Sequence, residues 1–240
     1  MMTIYQNIVA AKKENKKLLA ILIDPDKTAI EQISDLVIKI NQSPATHIFI
    51  GGSIVEQVSI DALIRELKKE CQLPILIFPG HPSQISQEAD GLLFLSLLSG
   101  RNPDYLIEHH INSVELLKNS VLEIIPTGYI LIEGGKETAV QRVSQTLPIE
   151  KDNIELAFKT AKAGEYLGKK LIYLEAGSGA ATPVPTDMIT YISSNLNIPL
   201  IVGGGIRDLN TIDTIFEAGA DLVVIGTAFE NDSNFFTPLC

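Results

Sequence analysis

Eight short apolar runs recur along the chain, each closed by a polar or glycine-rich turn, with segments of helical spacing between most of them. They are 18-LLAILID-24, 46-THIFIGG-52, 74-PILIFPG-80, 90-DGLLFLS-96, 122-LEIIPTGYILIEGG-135, 171-LIYLEAG-177, 199-PLIVGGG-205 and 221-DLVVIGT-227. Most are continuously apolar rather than alternating, the pattern of parallel strands covered on both faces. Between them, 54-IVEQVSIDALIRELKKE-70, 103-PDYLIEHHINSVELLKN-119 and 153-NIELAFKTAKAGEYLG-168 carry apolar residues at helical spacing. Strand–helix alternation without a Pro/Ser-rich linker predicts a single α/β domain spanning residues 1–240. Eight strand–helix units in 240 residues fit a modified (β/α)8 TIM barrel better than an open sheet. The connection 81-HPSQISQEA-89 is too short for a full barrel helix, so the ring is expected to be irregular there.

Composition narrows the function classes. With 45% apolar residues the chain can fill a large core, and a net charge of −10 argues against general affinity for nucleic acid or anionic membrane. The two cysteines, Cys71 and Cys240, have no metal-like spacing and read as free thiols of a reducing compartment. The N-terminus places its charges after its apolar residues, the wrong order for a secretory signal. The most apolar segment, 91-GLLFLSLLSG-100, has about half the length a membrane span requires. A cytoplasmic protein without a transmembrane segment is expected.

The unusual residues sit at strand C-terminal ends: Asp24, Gly51-Gly52-Ser53, Pro79-Gly80-His81, Glu133, Glu175 to Gly179, Gly203 to Gly205, and Gly226-Thr227. Strand starts, such as Pro74, Asp90, Pro199 and Asp221, are bland by comparison. In a barrel the C-terminal face holds the active site, so this asymmetry points to an enzyme. Glycines that merely turn the chain would explain about half of these positions, but not the carboxylates directly after apolar runs.

Strands seven and eight end in 203-GGGIRD-208 and 226-GTAFEN-231, the pair of loops that commonly binds phosphate in such barrels. Bare backbone N–H groups and a helix N-terminus attract phosphate, and Thr227 offers a hydroxyl or a helix cap. Arg207 is as readily an ion-pair partner of Asp208 as a phosphate ligand. In 173-YLEAGSGA-180, strand alternation puts Tyr173 and Glu175 on one side, with Gly177 to Gly179 beside them. Glu175 is a candidate general base, the ordinary alternative being a lysine-paired loop anchor. Asp24 in 21-ILIDPDK-27 suits Mg²⁺, which accepts one carboxylate together with waters and substrate oxygens, and Ser53 on the next strand could share the ion. Asp-Pro is also a helix-entry signal, which leaves Asp24 open as a cap. Asp26 and Lys27 read as loop and helix start. The histidines form no metal or triad pattern: His47 lies away from the mouth, His109 and His110 read as structural or surface residues, and His81 as a loop residue.

The set ILIDPDK, HIFIGGS, YLEAGSGA, VGGGIRD and IGTAFE, in this order, resembles the geranylgeranylglyceryl phosphate synthase family, which includes the heptaprenylglyceryl phosphate synthases. The resemblance spans nearly the entire chain. It implies a Mg²⁺-dependent prenyltransferase that joins a polyprenyl diphosphate, geranylgeranyl diphosphate as the first expectation, to the 3-hydroxyl of sn-glycerol 1-phosphate. The product is an ether-lipid precursor and diphosphate is released. By position, the resemblance assigns the metal to Asp24 and Ser53. It assigns glycerol phosphate to Tyr173, Leu174, Glu175, Ala176, Gly177, Ser178 and Gly179, and to Gly204, Gly205, Gly226 and Thr227. Glu175 and Tyr173 are the expected catalytic pair. Residues 91–98 and 129–132 are candidate walls of a prenyl groove, and a homo-oligomer is expected. The DDxxD pairs of all-helical prenyltransferases are absent, so metal handling rests on fewer carboxylates. A sugar-phosphate isomerase, an FMN enzyme or a non-catalytic phosphate-binding barrel would share only the phosphate loops; a flavin enzyme would purify yellow.

Overall fold

A computed structural model of the chain describes residues 2–52, 60–232 and 235–236. Among these, eight parallel strands close into a barrel in sequence order. They are β1 (Leu18–Ile23), β2 (His47–Ile50), β3 (Ile75–Ile77), β4 (Gly91–Leu97), β5 (Glu123–Leu131), β6 (Leu171–Glu175), β7 (Leu200–Gly203) and β8 (Leu222–Ile225). The ring closes where Leu18 to Ile21 pair with Leu222 to Ile225. The expected (β/α)8 barrel is therefore observed, with the strands shorter than their apolar runs.

Alternation along the strands divides the core in two. Leu18, Ala20, Phe49, Leu76, Leu93, Leu97, Tyr129, Leu131, Leu171, Tyr173, Ile201, Leu222 and Val224 fill the interior. Their neighbours, such as Leu19, Ile21, Ile48, Ile50, Ile75, Leu174 and Val202, face the helical shell. Two helices show how that shell is held. In α2 (Ile33–Gln42), Ile33, Val37 and Ile40 are buried, and in α3 (Ile60–Glu70), Ile60, Leu63, Ile64 and Leu67 are. This i, i+3/i+4 stripe removes several large side chains from water at roughly 1.5–3 kcal/mol each.

The floor of the barrel carries an element with no strand-like signature, the helix α1 (Ile4–Lys13). A reciprocal Thr3–Gln6 capping box starts it, and Ile8 and Ala11 insert into the inner core. Glu123, at the start of β5, accepts from the free N–H groups of Ile4 and Tyr5 at 2.5 and 3.0 Å. Asp221 works similarly at the start of β8, accepting from Leu200 N at 2.8 Å and from Lys12 Nζ at 2.9 Å. Replacing Asp221 with Ala strands a buried N–H and frees α1, so a loss of about 2 kcal/mol in urea unfolding is expected. Turnover at 25 °C should change little; an unaltered unfolding midpoint would show that the carboxylate carries no such tether.

The connection from β3 to β4 holds only a single 3-10 turn, Pro82–Gln84, as its length implies. Further round the ring, a π-helical turn at Asp104–Glu108 leads into α4 (His109–Leu117), and α5 (Ala139–Ser144) and α6 (Ile154–Tyr166) follow β5. The remaining helices are α7 (Thr186–Asn195), α8 (Leu209–Glu217) and the short α9 (Thr227–Asn231). His47 opens β2 as expected, buried and away from the mouth, and burial depresses its pKa to about 4. Cys71 is buried and free, and Cys240 lies outside the described residues. Among the described residues no helix is long and apolar enough to cross a membrane.

Candidate active site

A cavity of about 810 Å³ opens at the C-terminal ends of the strands and extends sideways past the β3–β4 connection. Its first end is lined by Ser178, Gly179, Gly204, Gly205, Gly226 and Thr227. Strand register explains the convergence. Val224 faces the interior, so Gly226 two residues on does the same; Ala20 and Leu22 face inward, so Asp24 points into the mouth. Ser178 Oγ and Thr227 Oγ1 are 3.1 Å apart, joining the β6 and β8 loops. Thr227 is the first residue of α9 and makes no cap, contrary to that option; Gly226 holds the cap position.

The triple glycine serves the protein's own packing as well as any ligand. Gly204 has φ +83°, and a Cβ there would collide with Glu175 Oε1 and Gly177 N. The absence of side chains therefore lets the β6 loop close onto β7 and brings the Glu175 carboxylate to the mouth.

Glu175 is the electrostatic centre. It is buried, its Oε1 accepts from Gly177 N at 2.7 Å, and its pKa is raised to about 7. Burial is the cause, with the Tyr173 hydroxyl and the Gly177 N–H pulling the other way. No lysine pairs with it among the described salt bridges. The Tyr173 hydroxyl adjoins the carboxylate, but not in good hydrogen-bond geometry, and is left without a partner among the described residues. A buried orphan hydroxyl beside a carboxylate of intermediate pKa is a pair suited to hold and deprotonate an incoming hydroxyl group. Tyr173 packs in turn against Phe78 and Tyr129, each with ring centroids 5.4 Å away, forming an aromatic floor.

Asp24 takes the cap role, and its carboxylate also borders the cavity. Its Oδ1 accepts from Asp26 N at 3.1 Å, capping the 3-10 turn Pro25–Lys27, and its Oδ2 pairs with Lys27 Nζ at 3.2 Å. It also lines the cavity, and a Cβ on Gly52 would meet its Oδ1 at 2.8 Å, so the β2 end abuts the carboxylate. Ser53 lies outside the described residues. Among the described residues no group of three or more His, Cys, Asp or Glu could cage a metal. A single all-oxygen donor in an open mouth nevertheless fits Mg²⁺, which keeps its waters and takes further oxygens from a substrate phosphate.

Some expected positions do not meet here. Leu174 and Ala176 point into the helical shell, as alternation requires, and Gly177 acts on Glu175 rather than on the cavity. Arg207 makes no described ion pair with Asp208: its Nη2 donates to Ala180 O at 2.8 Å from the cavity wall, and Asp208 caps α8. Lys27, read as a helix-start residue, lines the mouth and bridges Asp24 to Glu230.

The second end of the cavity is apolar. Leu92, Phe94, Leu95, Leu97 and Tyr129 line it, together with Phe78, Ile85, Tyr105, Val140 and Val143. Ile130 and Ile132 belong to the helical shell, and Leu131 to the barrel interior, so the expected wall at 129–132 reduces to Tyr129. The larger correction concerns histidine. His109 and His110 both line this wall, because β4, the π turn and α4 pack around them. His109 meets His81 and Tyr105 edge-on at 5.2 and 4.8 Å, and His110 meets Phe94 at 4.4 Å. Ser96 Oγ stands 3.2 Å from His110 Nε2 and accepts from Lys169 Nζ at 2.6 Å. Adjacent residues on a helix diverge by about 100°, yet a concave wall can touch both.

Known proteins share this architecture closely. The PcrB family model matches residues 11–237. A curated geranylgeranylglyceryl phosphate synthase of Flavobacterium johnsoniae is 64% identical over 98% of this chain and 96% of its own length. One from Zunongwangia profunda is 54% identical over 93% and 95% of the two chains. The crystal structure of (S)-3-O-geranylgeranylglyceryl phosphate synthase from Thermoplasma acidophilum, in complex with its substrate sn-glycerol-1-phosphate, superposes with a TM-score of 0.91. That protein is 31% identical, with 98% of this chain and 95% of the other covered. A barrel whose mouth joins glycine-rich loops, a buried glutamate and an apolar groove, and whose sequence matches these proteins over nearly its whole length, belongs to the PcrB family of geranylgeranylglyceryl phosphate synthases and is a prenyltransferase.

Proposed function

We propose that the protein transfers a polyprenyl group, geranylgeranyl on the naming of its relatives, from its diphosphate to the 3-hydroxyl of sn-glycerol 1-phosphate, with Mg²⁺ bound at Asp24. The observation that carries this reading is the position of Glu175, between the glycine-rich loop ends of β6, β7 and β8 and an apolar groove in one continuous cavity. Gly204, Gly205, Gly226, Ser178 and Thr227 would hold the acceptor's phosphate through N–H and O–H donors. That grip presents the 3-hydroxyl to the Glu175 carboxylate and gives the Tyr173 hydroxyl the polar partner it lacks. Phe78, Phe94, Leu95, Tyr105 and Val140 would exclude water from the donor's chain.

In the transfer, the acceptor oxygen bonds to the allylic carbon and the carbon–oxygen bond to diphosphate breaks. The electron pair leaves with the diphosphate, and the hydroxyl proton passes to Glu175. When bound, Mg²⁺ neutralises charge that builds on the departing diphosphate. Asp24, and Ser53 by its sequence position, would hold that ion. A labelled-glycerol-phosphate assay across prenyl diphosphates of several lengths, with and without chelator, tests the reading. Product formed only with prenyl donor, sn-glycerol 1-phosphate and Mg²⁺ is expected; no transfer with any donor would reject it.

A further inference from the structure

The metal position has one described carboxylate, yet the group to be released is a polyanion. Other cations line the cavity, but Arg207 is engaged with Ala180 O and Arg142 lies 3.7 Å from Glu137 on the α5 side. Lys27 is different: its Nζ is 3.2 Å from both Asp24 Oδ2 and Glu230 Oε2, so it spans the mouth from the β1 loop to α9. We propose that Lys27 is a donor-positioning residue that exchanges its Asp24 contact for the diphosphate of the prenyl donor when a divalent ion takes Asp24.

Three features carry this inference. Lys27 pairs with Asp24 Oδ2, an oxygen a metal would also take, so loading Asp24 would free an ammonium group beside the ion, where the diphosphate must lie. Glu230 keeps that ammonium at the mouth after the exchange, because its ion pair does not involve Asp24. The lysine stem is half exposed, with 52% of the side chain accessible, so it has room to turn toward a ligand.

This inference rests on the functional reading above, and its test separates the two. Isothermal titration of the full chain with inorganic diphosphate plus Mg²⁺, and separately with sn-glycerol 1-phosphate, is run on wild type, Lys27→Met and Lys27→Arg. Lys27→Met is expected to weaken magnesium-diphosphate binding roughly 10-fold or more, the scale of one charge-assisted hydrogen bond. KM for the prenyl donor should rise in parallel, sn-glycerol 1-phosphate affinity should hold within about 2-fold, and Lys27→Arg should restore most of the loss. Unchanged diphosphate binding in Lys27→Met, or an equal loss for both ligands, overturns the assignment of Lys27 while leaving the reaction intact. A wild type that binds no magnesium diphosphate overturns the functional reading and this inference with it.

Discussion

Glu175→Gln is expected to leave the barrel folded and to reduce turnover by roughly 10²-fold or more, the usual scale for loss of a general base. The amide keeps the shape and still accepts from Gly177 N, so what is removed is the charge and with it the proton acceptor. In the wild type, a base with a pKa near 7 gives a rate that rises with pH through about 7 and levels above it; that limb should vanish in the variant. Stability should move oppositely. The folded-state pKa is raised from 4.5 to about 7, so the native state holds the proton more tightly than the unfolded chain does. Wild-type stability therefore falls as pH climbs from 4.5 to 7 and then stays level. Above that window Glu175→Gln should be more stable by about 3 kcal/mol, and at pH 4 by little, as urea unfolding at the two pH values would report. Near-normal turnover in the variant would reject the catalytic role, and equal stabilities at high pH would reject the buried charge.

Asp24→Asn is expected to lower kcat/KM for the prenyl donor by roughly 10² to 10³-fold, comparable with removal of a main electrostatic stabiliser. The substitution is chosen because Asn caps a helical turn about as well as Asp, so the bond from Asp26 N survives and only the charge is lost. Binding of divalent cation, followed by titration calorimetry, should weaken together with activity, while sn-glycerol 1-phosphate affinity is retained. Activity within about 3-fold of wild type would reduce Asp24 to a cap.

Much of this was legible from residue order. Glu175 and Asp24 stand out because a charged side chain directly after a buried apolar run has few purely structural uses, and period-2 alternation sends both into the mouth. The same alternation, applied strictly, would have removed Leu174 and Ala176, which the family resemblance carried in and the helical shell claims. The strand-eight loop borders the mouth, as its place at a strand end implies, but Thr227 pairs with Ser178, some fifty positions earlier, rather than capping its own helix. His109 and His110 were missed for a physical reason. Their partners, His81, Phe94, Ser96 and Tyr105, are scattered over strand β4 and the two connections that flank it, and only the bend of the π turn onto β4 gathers them.

Periodicity and spacing settled how many strands there are and which strand ends carry polar and glycine residues, because these are local consequences of residue order. The pKa of Glu175, the double ion pair of Lys27 and the course of the apolar groove were decided by packing. Each depends on desolvation or on contacts between segments far apart in the chain, and burial and distance exist only once the barrel has closed.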